Sequence, residues 1–372
     1  MYLMKIIINA FQYSPDITGT DRMAHNFLEQ LQRLDTESQY IIVCSNEAYN
    51  RSAINQANFR IIRPLRIPAG RLIQRAYNKL WRTVLPWRLK AFKADTYVSF
   101  HNMSLPSTRV AKKMVAYNLD LIPIVIPGYE SIHRKPKAEL VSDYKRVAEL
   151  ADHFISISSF SKDELCRELG ISPEIVSVVY LAAGPKFGEK TQLENTSIQS
   201  KKYLLTIGGT EPRKNVKTIV DAFTKLPEAL QKEYPLVIMG GEWHGISLDS
   251  FKAHPNVLCL GYVSDQELPA LYQNAKAFIF ASEYEGFGFT VLEAMASGVP
   301  VISAESSSLT EVAGDAALLF KPHDVETLQD HIATLLSDPE LVKKLVSSGD
   351  QRVKQFSWEN SAKKLHEILT TI

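Results

Sequence analysis

The chain has 372 residues, 45% of them hydrophobic and 22% charged, with a formal net charge of +1. That length suggests two domains at roughly 150 residues each, the balance is that of a globular protein, and near-neutrality argues against wholesale nucleic-acid binding. No apolar run approaches the ~18 residues needed to span a bilayer; Cys44, Cys166 and Cys259 lie far apart without metal spacing and read as buried reduced thiols of a cytosolic chain.

The opening MYLMKIIINA turns polar too early for a signal peptide and reads as a first strand. Short β-branched runs then alternate with helical patterns. Strands are expected at 5–9, 40–44, 59–63, 96–100, 113–117, 153–157 and 175–179, and again at 203–207, 236–239, 257–260, 277–281, 300–303 and 317–320. Helical spacing covers 23–34 and 215–226, among others. Continuous apolar strands separated by amphipathic helices mean parallel sheets covered on both faces, so the fold class is α/β with two doubly wound Rossmann-like domains. The polar stretch 184–202 is the expected linker between an N-terminal domain at 1–185 and a C-terminal domain at 203–355. Residues 356–372 form a last helix able to cross back to the N-terminal domain. Ligands of such sheets lie beyond the carboxyl ends of the strands, which places the expected site in a cleft between the domains.

Between Ala48 and Ala94 stand eleven Lys or Arg, from Arg51 to Lys93, and no Asp or Glu. Within this segment RLIQRAYNKLWRTVLPWRLKAF has helical spacing at Leu72, Ile73, Ala76, Tyr77, Leu80 and Trp81, with Trp87 beyond. Basic residues mixed with Trp and Leu suit a helix lying on an anionic membrane surface. A solvated basic face on a core-packed helix accounts for the same pattern.

The densest chemistry is SEYEGFGFTVLEAMASG, residues 282–298. Glu283, Glu285 and Glu293 surround the glycine loop Glu285-Gly286-Phe287-Gly288, which leads from a strand into a helix whose amide end is an anion site. A carboxylate beside a phosphate is repulsive unless it accepts hydrogen bonds from hydroxyls. A nucleotide-sugar, with hydroxyls on both sides of its phosphates, satisfies that condition. Thr290-Val-Leu-Glu293 also has capping-box spacing, which would turn Glu293 onto the helix's own first amides. Upstream, GGTEPRKN follows the 203–207 strand, with Gly209 in its turn and Arg213 and Lys214 where the next helix is expected to begin. The helix dipole disfavours ordinary surface cations there, so the pair reads as the diphosphate's partner.

EGFGFTVLE is an E-x7-E motif from Glu285 to Glu293, and AMASGVPVISAESSSLTEVAGDAALLF follows it. With TEPRKN and LGYVSDQELPALYQNA upstream in the same order, it resembles the retaining glycosyltransferases of the GT-B fold, specifically the GT4 family. The resemblance is continuous over about 203–335 and looser in the first half, through SPDITGTDR and ADHFISISSFSKDEL. It implies two Rossmann-like domains facing a central cleft and transfer of a hexose from a nucleotide-sugar with retention of configuration. By that resemblance Glu285 binds hydroxyls of the transferred sugar, Glu293 binds the ribose, and Arg213 and Lys214 neutralise the diphosphate. Amides of Gly286, Phe287, Gly288, Phe289 and Thr290 would contact sugar and phosphate, and the loop carrying Tyr262 and Val263 would seat the base. Gly19, in the loop after the first strand, matches a family glycine beside the diphosphate, and Arg22 matches a family arginine.

The sequence also departs from the family. VAYNLDLIP keeps Asp120 but has Leu119 where a histidine is common, and His101 in SFHNMSLP is the candidate substitute. His101 and Asp120 are therefore candidate acceptor or sugar contacts. The resemblance implies neither metal nor cofactor, the nucleotide-sugar being a substrate. It favours mannosyltransferases using GDP-mannose, with UDP- and dTDP-sugars open. The acceptor would be a saccharide or lipid-linked saccharide of polysaccharide or O-antigen type biosynthesis, reached from the cytoplasm at the inner face of the membrane. A nucleotide-sugar 2-epimerase and a non-catalytic nucleotide-sugar binder are the rival readings. A dinucleotide-dependent dehydrogenase is further away, because no GxGxxG follows the first strand of either domain.

Overall fold

The computed structural model describes residues 4–10, 19–44, 57–62, 84–129, 135–191, 198 and 202–372. The chain divides into two compact units, Met1–Leu181 with Trp358–Ile372, and Ala182–Ser357.

The first unit is built on seven strands: β1 (Lys5–Asn9), β2 (Gln39–Val43), β3 (Phe59–Ile62), β4 (Ala94–Asn102), β5 (Ala111–Asn118), β6 (His153–Ser156) and β7 (Val176–Val178). They lie in the order β3-β2-β1-β4-β5-β6-β7 and every pair is parallel. The central strands are buried on both faces: Ile6, Ile7 and Ile8 are fully inaccessible, as are Ile41, Ile42 and Val98. That is why they read as unbroken apolar runs rather than alternating ones. Among the helices are α1 (Gly19–Leu34) and α2 (Ser159–Leu169). Ser158 caps α2 by accepting from Ser161 N, and Gly170, with φ +68°, ends it.

The second unit carries β8 (Tyr203–Ile207), β9 (Leu236–Met239), β10 (Val257–Gly261), β11 (Ala275–Phe280), β12 (Val301–Ala304) and β13 (Ala317–Phe320), again all parallel, in the order β10-β9-β8-β11-β12-β13. Its helices include α3 (Val216–Thr224), α4 (Phe289–Ala296) and α5 (Ser307–Ala313). The unit begins at Ala182, so residues 184–191 of the polar stretch belong to it, and Phe187 there is buried.

Each expected strand is present, with ends moved by no more than about two residues. The last helix, α6 (Trp358–Thr371), follows the second unit in sequence and belongs to the first. Trp358 meets Phe27 of α1 edge-on, with ring centroids 5.4 Å apart. Thr96 Oγ1 donates to Leu369 O at 2.9 Å, and Ser361 Oγ to Tyr180 O at 2.6 Å.

The helical reading of 72–81 lies outside the described residues. In the part of the basic segment that is described, residues 84–90 are helical, Leu89 is buried, and Trp87 is 82% exposed. No helix among the described residues is long and apolar enough to cross a membrane.

Candidate active site

In the second unit β8 is the first strand and β11 the fourth, yet they are neighbours. The chain leaves β8 towards β9 on one side and leaves β11 towards β12 on the other. The loops beyond their carboxyl ends therefore lie at the topological switch point, the place at which open α/β sheets bind ligands. The loop after β8 carries Gly208 to Lys214, and the loop after β11 carries Ser282 to Gly288.

Close backbone approach shapes the first loop. Gly209 has φ +55°, and a Cβ on it would lie 2.0 Å from Gly241 O. A Cβ on Gly208 would lie 2.5 Å from Lys214 Cβ. Only glycine lets the β8 and β9 loops touch and lets the Lys214 stem lie across the turn. Arg213 and Lys214 sit in a 3-10 turn, Pro212–Lys214, and not in the first turn of α3. Asn215, with φ +50°, separates that turn from the helix. The two cations are thus carried ahead of the helix.

The geometry converges on one oxygen. Glu285 Oε1 lies 2.8 Å from Arg213 Nη1 and 2.7 Å from Lys214 Nζ, and it accepts from Ser282 Oγ at 2.7 Å. Arg213 Nη2 pairs with Glu211 Oε1 at 2.8 Å, and its Nη1 donates to Tyr284 O. The two loops are also joined through the backbone, Glu283 N donating to Arg213 O at 2.9 Å. Burial alone would push the Glu285 carboxyl up. The charges of Lys214 and Arg213, with hydrogen bonds from Lys214 and Ser282, outweigh it and hold the group below its ordinary value. Lys214 Nζ also stands 5.0 Å from the Phe280 ring centroid.

Three serines before and within α5 support the glycine loop. Glu285 N donates to Ser307 Oγ at 2.8 Å, Ser308 Oγ donates to Glu285 O and Phe287 O, and Ser306 Oγ donates to Ser282 O. Sequence reasoning passed over this run, although Ser306-Ser307-Ser308 follows β12 at its carboxyl end, the signal that singled out Glu285.

Thr290 does not cap α4. The helix starts at Phe289 behind Gly288, whose φ is +122°, and no side chain caps it. Glu293 is therefore a buried residue inside the helix, 1% exposed, and not the second half of a capping box. Thr290 instead lines a cavity of about 340 Å³ with Gly208, Lys214, Gly240, Gly241, Glu242 and Trp243. Of the base-loop candidates, Tyr262 is 79% exposed just beyond β10 and Val263 follows it. Among the described residues no group of three or more His, Cys, Asp or Glu is placed to hold a metal ion.

The other candidates belong to the first unit, near its own switch point between β1 and β4. Gly19 is the first residue of α1 rather than a loop residue, and Arg22 lies in the same first turn. His101, near the end of β4, is pushed down to about 4 by burial, against the pull of the Asp21 carboxylate. It is neutral at pH 7. Asp120 belongs to the turn after β5: its Oδ1 accepts from Ile122 N at 3.1 Å, and Asn102 Nδ2 donates to its backbone oxygen at 2.8 Å. At the position lacking the family histidine, Leu119 N donates to Asn102 Oδ1 at 2.9 Å.

Known proteins resemble the chain over both units. The family model for glycosyl transferases group 1 matches residues 189–352, and that for glycosyltransferase family 4 matches residues 17–183. O-antigen chain mannosyltransferase B of Escherichia coli is 31% identical over 305 residues, which cover 78% of this chain and 77% of that protein. The serotype-specific mannosyltransferase WbdA of Escherichia coli is 28% identical over 289 residues, 70% of this chain but only 34% of that longer protein. Among solved structures, sucrose-phosphate synthase from Thermosynechococcus elongatus aligns over 98% of both chains with a TM-score of 0.75 at 17% identity, a likeness of fold. Two parallel α/β units, the matching halves and the first of these relatives together show that the chain belongs to glycosyltransferase family 4, the group 1 glycosyl transferases of the GT-B fold.

Proposed function

We propose that the protein transfers a mannosyl group from GDP-mannose, with retention of configuration, to a saccharide or lipid-linked saccharide during O-antigen or related polysaccharide synthesis. The observation that carries this reading is the meeting of Arg213, Lys214 and Glu285 at one oxygen, at 2.8 and 2.7 Å, over the switch point of the donor unit. Two cations suit a diphosphate, and a carboxylate beside them suits the hydroxyls of the sugar it carries. Similarity to two proteins named as mannosyltransferases supports the choice of sugar.

In this mechanism the acceptor oxygen attacks C1 of the sugar from the face the diphosphate leaves. The C1–O bond breaks, its electron pair departs with the diphosphate, and the acceptor proton passes to the departing phosphate oxygen. Arg213, Lys214 and the amides opening α4 receive the developing charge, the role of pre-organised electrostatic stabilisation. Glu285 orients sugar hydroxyls and Glu293 the ribose. No metal or cofactor is required in this scheme. A radiolabelled-donor assay separates transferred label, an epimerised donor, and binding without turnover. If Lys214→Ala and Glu285→Ala both kept the wild-type transfer rate, the assignment would be wrong.

Work at the inner face of a membrane fits the same reading. On the 84–90 helix Trp87 projects into solvent beside exposed Arg88 and Lys90, a basic-aromatic surface suited to anionic lipid headgroups. Sedimentation with phosphatidylglycerol vesicles should exceed that with phosphatidylcholine vesicles and fall in Trp87→Ser. Equal sedimentation with both would remove the membrane part.

A further inference from the structure

We propose that Trp243 is the platform on which the donor's nucleobase stacks, and that Glu242 reads that base as guanine. This rests on the transferase reading above and extends it to the residues after β9 that line the same cavity as Lys214.

Strand order sets the direction. Glu285 follows β11 and Lys214 follows β8, so sugar and diphosphate occupy that pair of strands. The nucleoside continues over β9 and β10, which lie next in the sheet. The loops ending those two strands are joined, Gly240 N donating to Gly261 O at 2.8 Å. Trp243 stands three residues beyond Gly240 and lines the same cavity as Lys214 and Thr290.

The indole is held before any ligand arrives. Residues Trp243 to Ile246 form a two-residue turn with His244 at φ +47° and Gly245 at φ +83°, the type I′ pattern. Ile246 N donates to Trp243 O at 3.0 Å. Thr210, from the loop after β8, clamps both ends: Trp243 N donates to its hydroxyl at 2.8 Å, and the hydroxyl donates to Ile246 O at 2.7 Å. The His244 ring closes on the indole edge-on, 4.5 Å between centroids. A platform fixed in this way loses little further freedom when a base lands on it.

Indole is a two-ring surface. A purine covers it, whereas a pyrimidine leaves part of it wet. Glu242 then separates one purine from another. Its Oε1 accepts from Ser247 Oγ and Leu248 N, both at 3.1 Å, which orients the carboxylate; Oε2 accepts no bond among the described residues. Guanine offers adjacent N1–H and N2–H donors to such a group. Uracil offers one N–H flanked by two carbonyl oxygens that a carboxylate repels, and adenine offers only its amine.

The test is calorimetric titration of the full chain with GDP, ADP and UDP, on wild type, Trp243→Ala, Trp243→Phe, Glu242→Gln and Lys214→Ala. Wild type should bind GDP tightest. Trp243→Ala should weaken GDP ~10-fold or more, with Trp243→Phe between, as expected for loss of an aromatic base platform. Glu242→Gln should weaken GDP but not UDP, collapsing their ratio. Lys214→Ala should weaken all three alike. Nucleotide binding that Trp243→Ala and Glu242→Gln leave unchanged, or a wild-type preference for UDP, overturns this inference and leaves the transferase reading intact. Failure of every nucleotide to bind wild type overturns both.

Discussion

Lys214 Nζ and Glu285 Oε1 are 2.7 Å apart although 71 residues separate them in the chain. The contact exists because the first and fourth strands of the second unit pair, which puts the ends of β8 and β11 side by side. Arg213 completes the group and is itself balanced by Glu211. Among the described residues two cations thus face two carboxylates. On the proposed function, a diphosphate would draw the cations away from Glu285 and free that carboxylate for sugar hydroxyls.

Glu285→Gln should therefore separate binding from chemistry. Removing the competing negative charge takes one carboxylate away from Arg213 and Lys214, so bare GDP should bind several-fold tighter. Transfer should nonetheless slow by about 100-fold, as the sugar loses the acceptor that positions its hydroxyls. Titration with GDP alone, set beside kcat for mannosyl transfer, checks both halves. Weaker GDP binding would contradict the competition.

The acid limb of activity should respond to Lys214. Glu285 is held below its ordinary value by Lys214 and Arg213 against the effect of burial, so it stays ionised as pH falls towards the carboxylate range. Lys214→Met removes the larger of the two Coulombic contributions. The carboxyl then titrates at higher pH, and the acid limb of kcat/KM moves up with it, besides a loss of rate at the plateau. Rates measured between pH 4 and pH 8 on both proteins decide the matter; limbs that coincide would mean that Glu285 ionisation does not govern turnover.

Glycines of similar dihedral angle should differ sharply in tolerance. At Gly209 a methyl group would overlap Gly241 O at 2.0 Å, backbone against backbone, with φ at +55°. Gly170 has φ +68° and, among the described residues, nothing within 4 Å of the added Cβ. Gly170→Ala should cost only the left-handed strain, about 1–2 kcal/mol. Gly209→Ala should exceed that by about 2 kcal/mol or more and displace Lys214 as well. Urea denaturation orders the two variants, and equal losses would show that the β8 and β9 loops are free to part.

Much of the fold is legible in the sequence. Strands such as Ile6–Ile8 and Phe278–Phe280 lie between two helical layers, and burial on both faces writes them as continuous apolar runs. Glu285 stood out because a carboxylate on a glycine loop at a strand's carboxyl end has no structural duty. Local spacing was less reliable. Thr290 and Glu293 match a capping box, but the helix takes Gly288 as its cap, two residues too early for it. Asn215 in a left-handed conformation likewise ends one short helix and starts another, which no propensity scale announces at that residue. Trp243 and Thr210 escaped notice because their partnership depends on β9 lying beside β8, a fact of strand order. The pair Gly240-Gly241 after β9, echoing Gly208-Gly209 after β8, was the available clue.

A buried acid supplies one of the contacts between the last helix and the first unit. Asp35 Oδ2 accepts from Tyr40 OH and from His366 Nε2 of α6, both at 2.8 Å, while its Oδ1 accepts from Glu37 N and Ser38 N. Burial would raise this carboxyl; the hydrogen bonds from Ser38, Tyr40 and Glu37 overcome that and lower it to about 2. Its folded value is depressed from an ordinary ~3.9, so the stabilisation is present above pH ~4 and drains away as pH falls towards 2. Asp35→Asn should cost about 2 kcal/mol at pH 7, since one pKa unit corresponds to ~1.4 kcal/mol. The gap between wild type and variant should shrink to roughly half by pH 3, midway through that window. Urea denaturation at the two pH values gives the comparison. A gap that stayed constant would mean that Asp35 acts by shape and not by charge, and a gap that widened in acid would reverse the sign of the linkage.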